Sequence, residues 1–152
     1  MVHIEIAHTF PVSVSDAFAY ITNISNWADY WPNFVRFEDL ENARWSEAGD
    51  EVTIVLKLLN RERALTMMLD EFQKDAFVAY HSHQRGLPDA RHERYFEALP
   101  EGMALRIVIE YEPRKGFAGL FDRFYMKRGV EGALRKTIEN LEKRFKQQEQ
   151  LK

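Results

Sequence analysis

The hydrophobic pattern of this chain changes its period once, and this change limits the fold more than any other feature. Between Val35 and Glu112, six segments alternate apolar and polar residues, and turn-forming residues such as Ala48–Asp50 separate them. After Pro113, apolar residues recur every three or four positions through Leu120–Phe145. A series of adjoining strands followed by one long amphipathic helix predicts an antiparallel sheet that buries one face against that helix. The predicted fold class is therefore α+β.

The N-terminal part adds one strand and two short helices. Val2–Phe10 alternates apolar and polar side chains, which predicts a further strand. Ser13 or Ser15 suits the cap of the next helix, because a serine hydroxyl accepts a hydrogen bond from the first backbone amides. A second short helix is predicted over Ser25–Trp31, and Pro32 ends it. The predicted order is strand, two short helices, six strands and one long helix.

Composition places the chain among folded proteins and argues against several classes. Hydrophobic residues make up 45% and charged residues 30%, without repeats or linkers, so residues 1–152 are expected to form one domain with a frayed tail at 146–152. No apolar run reaches the roughly 20 residues that span a bilayer. Cysteine and a secretory signal are both absent, so a cytoplasmic location is expected. A net charge of −3 argues against a nucleic-acid partner.

Several stretches of the chain, in order, carry a resemblance to a known superfamily. They are Phe10–Phe18, Asn26–Pro32, the Ala48–Asp50 turn, Tyr111–Pro113 and the final helix with Leu134, Ile138 and Leu141. This arrangement resembles the START-like, or SRPBCC, helix-grip superfamily, which includes the polyketide cyclase/dehydrase and lipid-transport family. The resemblance implies a curved sheet of about seven strands wrapped on the C-terminal helix. It also implies a cavity between sheet and helix that holds a hydrophobic small molecule.

The alternation in the two C-terminal hairpins predicts which side chains face that cavity. With apexes at Leu87 and near Glu101, Tyr80 lies opposite Arg94, and Arg94 lies opposite Ile109. A pocket of several hundred cubic ångströms is expected beside this face, as is usual for ligand sites. The same pairing sets Ser82 and Tyr111 opposite His92, and Val78 and Ile107 opposite Phe96.

The interior face combines apolar side chains with a polar cluster around Arg94. Because a buried arginine without a partner is unfavourable, two interpretations stay open. Arg94 bonds a carboxylate or carbonyl groups of the chain, or Arg94 and His92 meet the polar or anionic end of an apolar ligand. The candidate ligand-binding residues are Tyr80, Ser82, His92, Arg94, Phe96, Ile109, Tyr111, Met67, Trp31, Phe34, Phe121 and Phe124. For Trp31 and Phe34, aromatic core packing is the alternative to lining the cavity mouth.

The histidines do not predict a metal site. His81 and His83 share one strand face, as metal-ligating pairs on strands do, but His92 points to the opposite face. No G-x-S-x-G motif and no glycine-rich phosphate loop occurs in the sequence. We therefore expect neither a metal nor another cofactor.

Three classes of function remain compatible with this pattern. We expect a carrier or binding protein for a lipid, polyketide or isoprenoid, and not an enzyme. The alternative is an aromatase/cyclase-type enzyme, in which Arg94 stabilises an enolate oxygen and Tyr80, His92 or Tyr111 transfers protons. The third class is a small interaction module whose cavity is vestigial.

The segment Arg114–Phe121 combines flexible glycines with two phenylalanines and is followed by a basic stretch to Lys136. Basic charge beside exposed aromatic residues is typical of contact with an anionic membrane. This segment is therefore a candidate gate for the cavity and a candidate membrane contact, and a packed lid beside a solvated helix face is the alternative. In the following helix, Gly129 and Gly132 either allow a close approach of the sheet or leave room for the cavity.

Overall fold

Seven antiparallel strands form one curved, unclosed sheet in the computed structural model, which describes residues 1–150. The strands are β1 (Val2–Phe10), β2 (Phe34–Phe37), β3 (Glu51–Leu58), β4 (Arg61–Gln73), β5 (Phe77–His83), β6 (Ala90–Leu99) and β7 (Gly102–Tyr111). Their order across the sheet is β1-β7-β6-β5-β4-β3-β2. Strands β2 to β7 therefore form a meander, and β1 pairs with the last strand of the chain.

The helices follow the predicted order, with different bounds at the C-terminal end. They are α1 (Val14–Thr22), α2 (Trp27–Tyr30), α3 (Phe117–Phe121) and α4 (Lys127–Gln150), and a π-helical turn at Asp122–Met126 joins α3 to α4. Single 3-10 turns occur at Ile24–Asn26 and Leu40–Asn42. The hydroxyl of Ser13 accepts a hydrogen bond from the Asp16 amide at 3.1 Å, so Ser13 is the cap of α1. The α+β helix-grip prediction is confirmed.

Two predicted segments have a different structure. The long helix begins at Phe117 rather than Leu120, so the second half of the predicted Arg114–Phe121 loop is helical. Residues 146–150, for which the sequence predicts fraying, continue α4, and residues 151–152 lie outside the described residues.

The predicted register of the two C-terminal hairpins is wrong by two residues. Tyr80 pairs with His92, not Arg94, and Arg94 pairs with Ile107, not Ile109. The β6–β7 turn is tighter than predicted, because Leu99 already pairs with Gly102. The shift is even, and side chains alternate with a period of two, so every side chain keeps its predicted face. The same shift places Ser82 opposite Ala90, His92 opposite Ile109, Phe96 opposite Leu105 and Tyr111 opposite Ala90, and sets Val78 opposite Arg94.

The core lies between the concave face of the sheet and α4. The helix contributes the predicted stripe, in which Leu134, Ile138, Leu141 and Phe145 are all buried. Burial of each such side chain stabilises the fold by about 1.5–3 kcal/mol relative to exposure. Helix α1 also packs against the sheet, where Phe18 contacts Phe96 and Phe72 edge-on.

Polar contacts fix α2 to α4 at the near end. The Asn140 side-chain amide donates to the Tyr30 carbonyl at 3.0 Å, and Arg144 forms an ion pair with Asp29 at 3.1 Å. These contacts hold α2, and the residue that follows it, against the middle of α4. Within residues 1–150, no helix combines the length and the apolar character needed to cross a bilayer.

Candidate functional site

An open cleft of about 410 Å³ lies between α2, the end of β3 and α4. We call it the cleft; its lining includes Trp31, Pro32, Leu58, Gly129, Gly132 and Asn140. A second surface depression of about 470 Å³ adjoins it at Asn33 and is lined by Phe34 and Leu59. The sequence predicts a pocket inside the molecule, whereas both spaces open to the surface.

The two glycines of α4 leave room in the cleft. Apart from its chain neighbours and the adjacent backbone of α4, a Cβ atom added to Gly129 or Gly132 would meet no atom of a described residue within 4 Å. Close approach of the sheet therefore does not require glycine at either position. Of the two interpretations offered for these glycines, the structure supports the one in which they provide space.

Arg94 of β6 points into the molecule and is only 9% exposed. One terminal nitrogen donates to the Tyr80 hydroxyl at 3.5 Å, and the guanidinium carbon lies 5.8 Å from the ring centres of Trp31 and Tyr80. Arg94 Nε is buried and has no hydrogen-bond partner among the described residues. Burial disfavours the charged form, but the Tyr80 and Tyr30 hydroxyls favour it, and the pKa of Arg94 stays above its ordinary value. Arg94 is therefore a buried positive charge.

Trp31 connects Arg94 to the cleft. Its side chain is part of the cleft lining, yet its Nε1 is buried without a hydrogen-bond partner in the described part of the chain. The neighbouring Trp27 differs, because its Nε1 donates to the Ile21 carbonyl at 3.0 Å. We call Arg94 Nε and Trp31 Nε1 the donor pair. Buried donors are nearly always satisfied in folded proteins, so two unsatisfied donors on residues in contact mark this place as unusual.

Two buried tyrosines complete the surroundings of Arg94. Tyr80 is held between His92, which stacks on it at 4.4 Å, and Trp45, which meets its ring edge-on at 5.3 Å. The Tyr30 hydroxyl donates to the Ile21 carbonyl at 2.6 Å. Burial raises the pKa of Tyr30 to about 12 and raises that of Tyr80 as well. Both hydroxyls are therefore neutral at physiological pH.

His92 is neutral too, and it is paired. Its Nε2 lies 2.8 Å from the Ser82 hydroxyl. Burial, and then the positive charge of Arg94, lowers the pKa of His92 to about 3. A neutral imidazole adds no charge beside Arg94, and at physiological pH it is not an effective proton donor.

The other predicted site residues are distributed over three places. Met67, Phe96 and Ile109 are buried in the core, and Phe34 lines the second depression. The Tyr111 hydroxyl donates to the backbone carbonyl of Asp122, so the polar end of Tyr111 binds the first part of the long helical segment and does not face the cleft. Phe121 and Phe124 are largely exposed on that helix, and the structure does not bring them to Arg94.

Sequence analysis missed two residues of the site. Tyr30 is not among the predicted site residues, although its position directly before Trp31 is a usable signal. Trp45 lies in an irregular segment between β2 and β3, and neither periodicity nor a motif indicates that it contacts Tyr80.

The start of the long helix carries a buried ion pair and an exposed apolar surface. The carboxylate of Asp122 is fully buried and accepts hydrogen bonds from the Arg114 backbone amide, Nε and Nη2 at 2.7–3.0 Å. Arg114 is therefore fixed and is not free for another anion. We call the exposed side chains of this region the aromatic patch; they are Phe117, Leu120, Phe121, Phe124 and Tyr125.

The surface histidines are paired with carboxylates. His81 Nδ1 lies 2.9 Å from Asp70, and His83 Nδ1 lies 2.7 Å from Asp89. Among the residues that the structure describes, no group of three or more histidine or carboxylate side chains could hold a metal ion.

Comparisons with known proteins agree with this architecture. The family model described as polyketide cyclase / dehydrase and lipid transport matches residues 1–146. No curated protein matches the chain. Similar solved structures include CV1439 from Chromobacterium violaceum, with a TM-score of 0.75, 14% identity and coverage of 92% of this chain and 94% of that one.

Two further structures have the same fold. TTHA0849 from Thermus thermophilus has a TM-score of 0.77 at 13% identity, with 95% of this chain and 97% of that chain covered. A START superfamily protein from Mycobacterium smegmatis has a TM-score of 0.71 at 12% identity, and the alignment again covers 95% of this chain and 97% of that chain. At such low identity these likenesses concern the fold alone. Because the family model spans nearly the whole sequence, the chain belongs to the polyketide cyclase/dehydrase and lipid-transport family.

Proposed function

We propose that this protein binds a hydrophobic small molecule between the sheet and α4 and acts as its carrier or binding protein. The observation that carries the proposal is the cleft, which is bordered by Trp31, Gly129 and Gly132 and lies directly outside the buried Arg94. The cleft lining combines apolar residues with the polar side chains of Asn33, Lys136 and Asn140. Ligand sites likewise combine apolar walls with a small number of polar groups. The ligand-binding character of the family supports the same conclusion.

Access to the interior requires Trp31 to move. Its ring both lines the cleft and lies over Arg94, so it separates the open space from the buried cluster. Trp31 directly follows α2, which Asn140 and Arg144 tie to α4. Displacement of this short segment would join the cleft to the interior without disturbing the sheet.

A polyketide cyclase-type activity is the second candidate, and the family description favours it. In such a reaction Arg94 would stabilise an enolate oxygen, and the nearby Tyr80 hydroxyl would donate a hydrogen bond. The low pKa of His92 argues against that residue as the proton donor. The carrier function is favoured because the described neighbours Tyr30, Tyr80 and His92 all have pKa values far from neutrality, and general acid–base catalysis works best near the operating pH.

We also propose that the aromatic patch contacts an anionic membrane during loading or delivery. Phe117 is 91% exposed and Phe124 is 65% exposed, although both are large apolar side chains. Arg123 lies within the patch in sequence, Lys115 precedes it and Arg128 follows it, and none of the three forms an ion pair with the described residues. Exposed rings flanked by free positive charge suit the interface of a bilayer with negatively charged lipids.

Native mass spectrometry of the purified full chain tests the central proposal. A carrier is expected to retain one co-purified apolar molecule per chain. If none co-purifies, it is expected to bind one molecule of an added neutral probe, 2-(2-naphthyl)ethanol. Denaturation should release the molecule with its mass unchanged, whereas a cyclase/dehydrase acting on a linear polyketide would release a product lighter by water. The absence of any one-to-one complex would contradict the binding function.

A further inference from the structure

The donor pair indicates the chemistry of the ligand more closely than the cleft alone does. Arg94 Nε and Trp31 Nε1 belong to side chains in contact, and each is buried without a hydrogen-bond partner among residues 1–148, whose side chains the structure describes. The Tyr30 hydroxyl lies beside both side chains. Other buried polar groups nearby are satisfied: Trp27 Nε1 and the Tyr30 hydroxyl both donate to the Ile21 carbonyl. The two free donors are therefore a local feature and not a general looseness of packing.

The charge of Arg94 is uncompensated as well. The described residues include no carboxylate within ion-pair distance of it, and the other buried charge, Asp122, is fully engaged by Arg114. His92, Tyr30 and Tyr80 surround Arg94 as neutral groups. The rings of Trp31 and Tyr80 offer cation–π attraction, which offsets only part of the cost of burying a guanidinium.

We propose that the ligand is an acid: a singly charged carboxylate on an apolar body, with its oxygens accepting hydrogen bonds from the donor pair. A carboxylate has two acceptor oxygens and one negative charge, which match two donors and one positive charge. A doubly charged phosphate would leave one negative charge buried without a partner. This assignment rests on the proposed function, because it identifies the polar end of the same bound molecule.

The surroundings also indicate the body that carries the carboxylate. Arg94 lies over the rings of both Trp31 and Tyr80, and Tyr80 meets Trp45 edge-on, so aromatic rings line the way from the cleft to the interior. Gly129 and Gly132 leave open space in the α4 wall, beside Ala133, Lys136 and Asn140, in a cleft of about 410 Å³. A flat aromatic body of two or more rings fits such walls through stacking and edge contacts.

Calorimetric titration with two matched probes tests the assignment. The probes are 2-naphthylacetate and 2-(2-naphthyl)ethanol, which share the ring system and differ in charge. The wild-type full chain is expected to bind the acid at least about tenfold more tightly, since charged hydrogen bonds are roughly twice as strong as neutral ones. Arg94→Gln should bring the two affinities within about twofold of each other, mainly by weakening the binding of the acid.

A tryptophan pair supplies a control that does not depend on Arg94. Trp31→Phe keeps an aromatic ring but removes the free donor, and should reduce the preference for the acid about threefold or more. Trp27→Phe removes a donor that is already satisfied by Ile21 and should leave the preference unchanged. This comparison decides the question even if Arg94→Gln does not fold.

The outcomes separate the two proposals. Equal affinity of the wild type for both probes, or an acid preference that survives Arg94→Gln and Trp31→Phe, would overturn the acid assignment while hydrophobic binding stands. Failure of the wild type to bind either probe would overturn the binding function and the acid assignment together.

Discussion

The guanidinium carbon of Arg94 lies 5.8 Å from the centre of the Trp31 ring, and each of the two side chains carries a buried donor without an acceptor among the described residues. Arg94 extends from the middle of the sheet, whereas Trp31 follows a short helix at the rim. Their contact therefore links the buried interior between the sheet and α4 to the open cleft. A ligand that satisfies both donors would tie these two parts of the molecule together.

Replacement of Arg94 with methionine should not destabilise the protein. The variant removes a buried unpaired charge and one unsatisfied donor, so we expect the free energy of unfolding to rise by about 1 kcal/mol. Urea unfolding followed by circular dichroism measures this change. Arg114→Met is the matched control and should lower the free energy of unfolding by about 1.5–3 kcal/mol, because it leaves the buried Asp122 carboxylate without its partner. If Arg94→Met lowered the free energy of unfolding by more than about 2 kcal/mol, Arg94 would be required for folding and would not be an unpaired charge kept for a ligand.

His92 should make the stability depend on pH between about 6.5 and 3. Its folded-state pKa of about 3 lies below its ordinary value of about 6.5. Between these two pH values, His92 is protonated in the unfolded chain and neutral in the folded chain. The folded state is therefore favoured above pH 6.5, and this contribution falls by about 1.4 kcal/mol for each pH unit below it. His92→Gln should remove that slope from the pH profile of unfolding. His81→Gln, which changes an exposed imidazole on the other face, should retain it, and a wild-type slope in His92→Gln would disprove the burial argument.

Two glycines at the start of the long helical segment should respond oppositely to alanine. In Gly132→Ala the new methyl group enters open space, so we expect stabilisation by about 0.5–1 kcal/mol from reduced backbone freedom. In Gly119→Ala the methyl group would overlap the Arg114 carbonyl oxygen, and we expect a loss of about 1–3 kcal/mol. Thermal unfolding of both variants tests the pair. Destabilisation by Gly132→Ala would mean that the cleft is narrower than described.

The aromatic patch should bind vesicles that contain anionic lipid. Co-sedimentation of the wild type with anionic vesicles is expected to exceed that with neutral vesicles and to weaken with salt, because exposed charge is screened over about 8–10 Å. Phe117→Ser combined with Phe121→Ser should reduce this binding and slow ligand transfer. Leu99→Ser changes an exposed apolar residue at the end of β6, outside the aromatic patch, and should change neither vesicle binding nor ligand transfer. Equal binding to both kinds of vesicle would refute the membrane contact.

Much of the fold was predictable from alternation because facing depends only on a period of two. This is why Arg94 and Tyr80 were placed correctly inside, although the register was wrong by two residues. Register depends on where each hairpin turns, and the residues Pro100 and Glu101 alone close the β6–β7 turn. In the β5–β6 hairpin, several neighbouring residues around Gly86 favour a turn, so the sequence does not determine which of them lies at the apex. Only the observed pairing of the two strands locates it.

The site itself was less predictable because its distinctive property is a missing partner. The sequence placed Arg94 inside but could not determine whether a carboxylate of the chain would meet it. Asp122 was available in sequence, and only the folded structure assigns it to Arg114. The relation between Trp31 and Arg94 likewise depends on how α2 packs against α4, which no local pattern determines.

An NMR titration that follows the tryptophan indole N–H signals tests the central claim most directly. The chain has three tryptophans, and 2-naphthylacetate should shift the indole signal of Trp31 strongly, together with the backbone amides of Gly129 and Gly132. The indole signal of Trp27, which already donates to Ile21, should change little. Saturable shifts of this pattern are the predicted result. Unchanged spectra, or shifts that leave Trp31 and the two glycines unaffected, would contradict ligand binding between the sheet and α4.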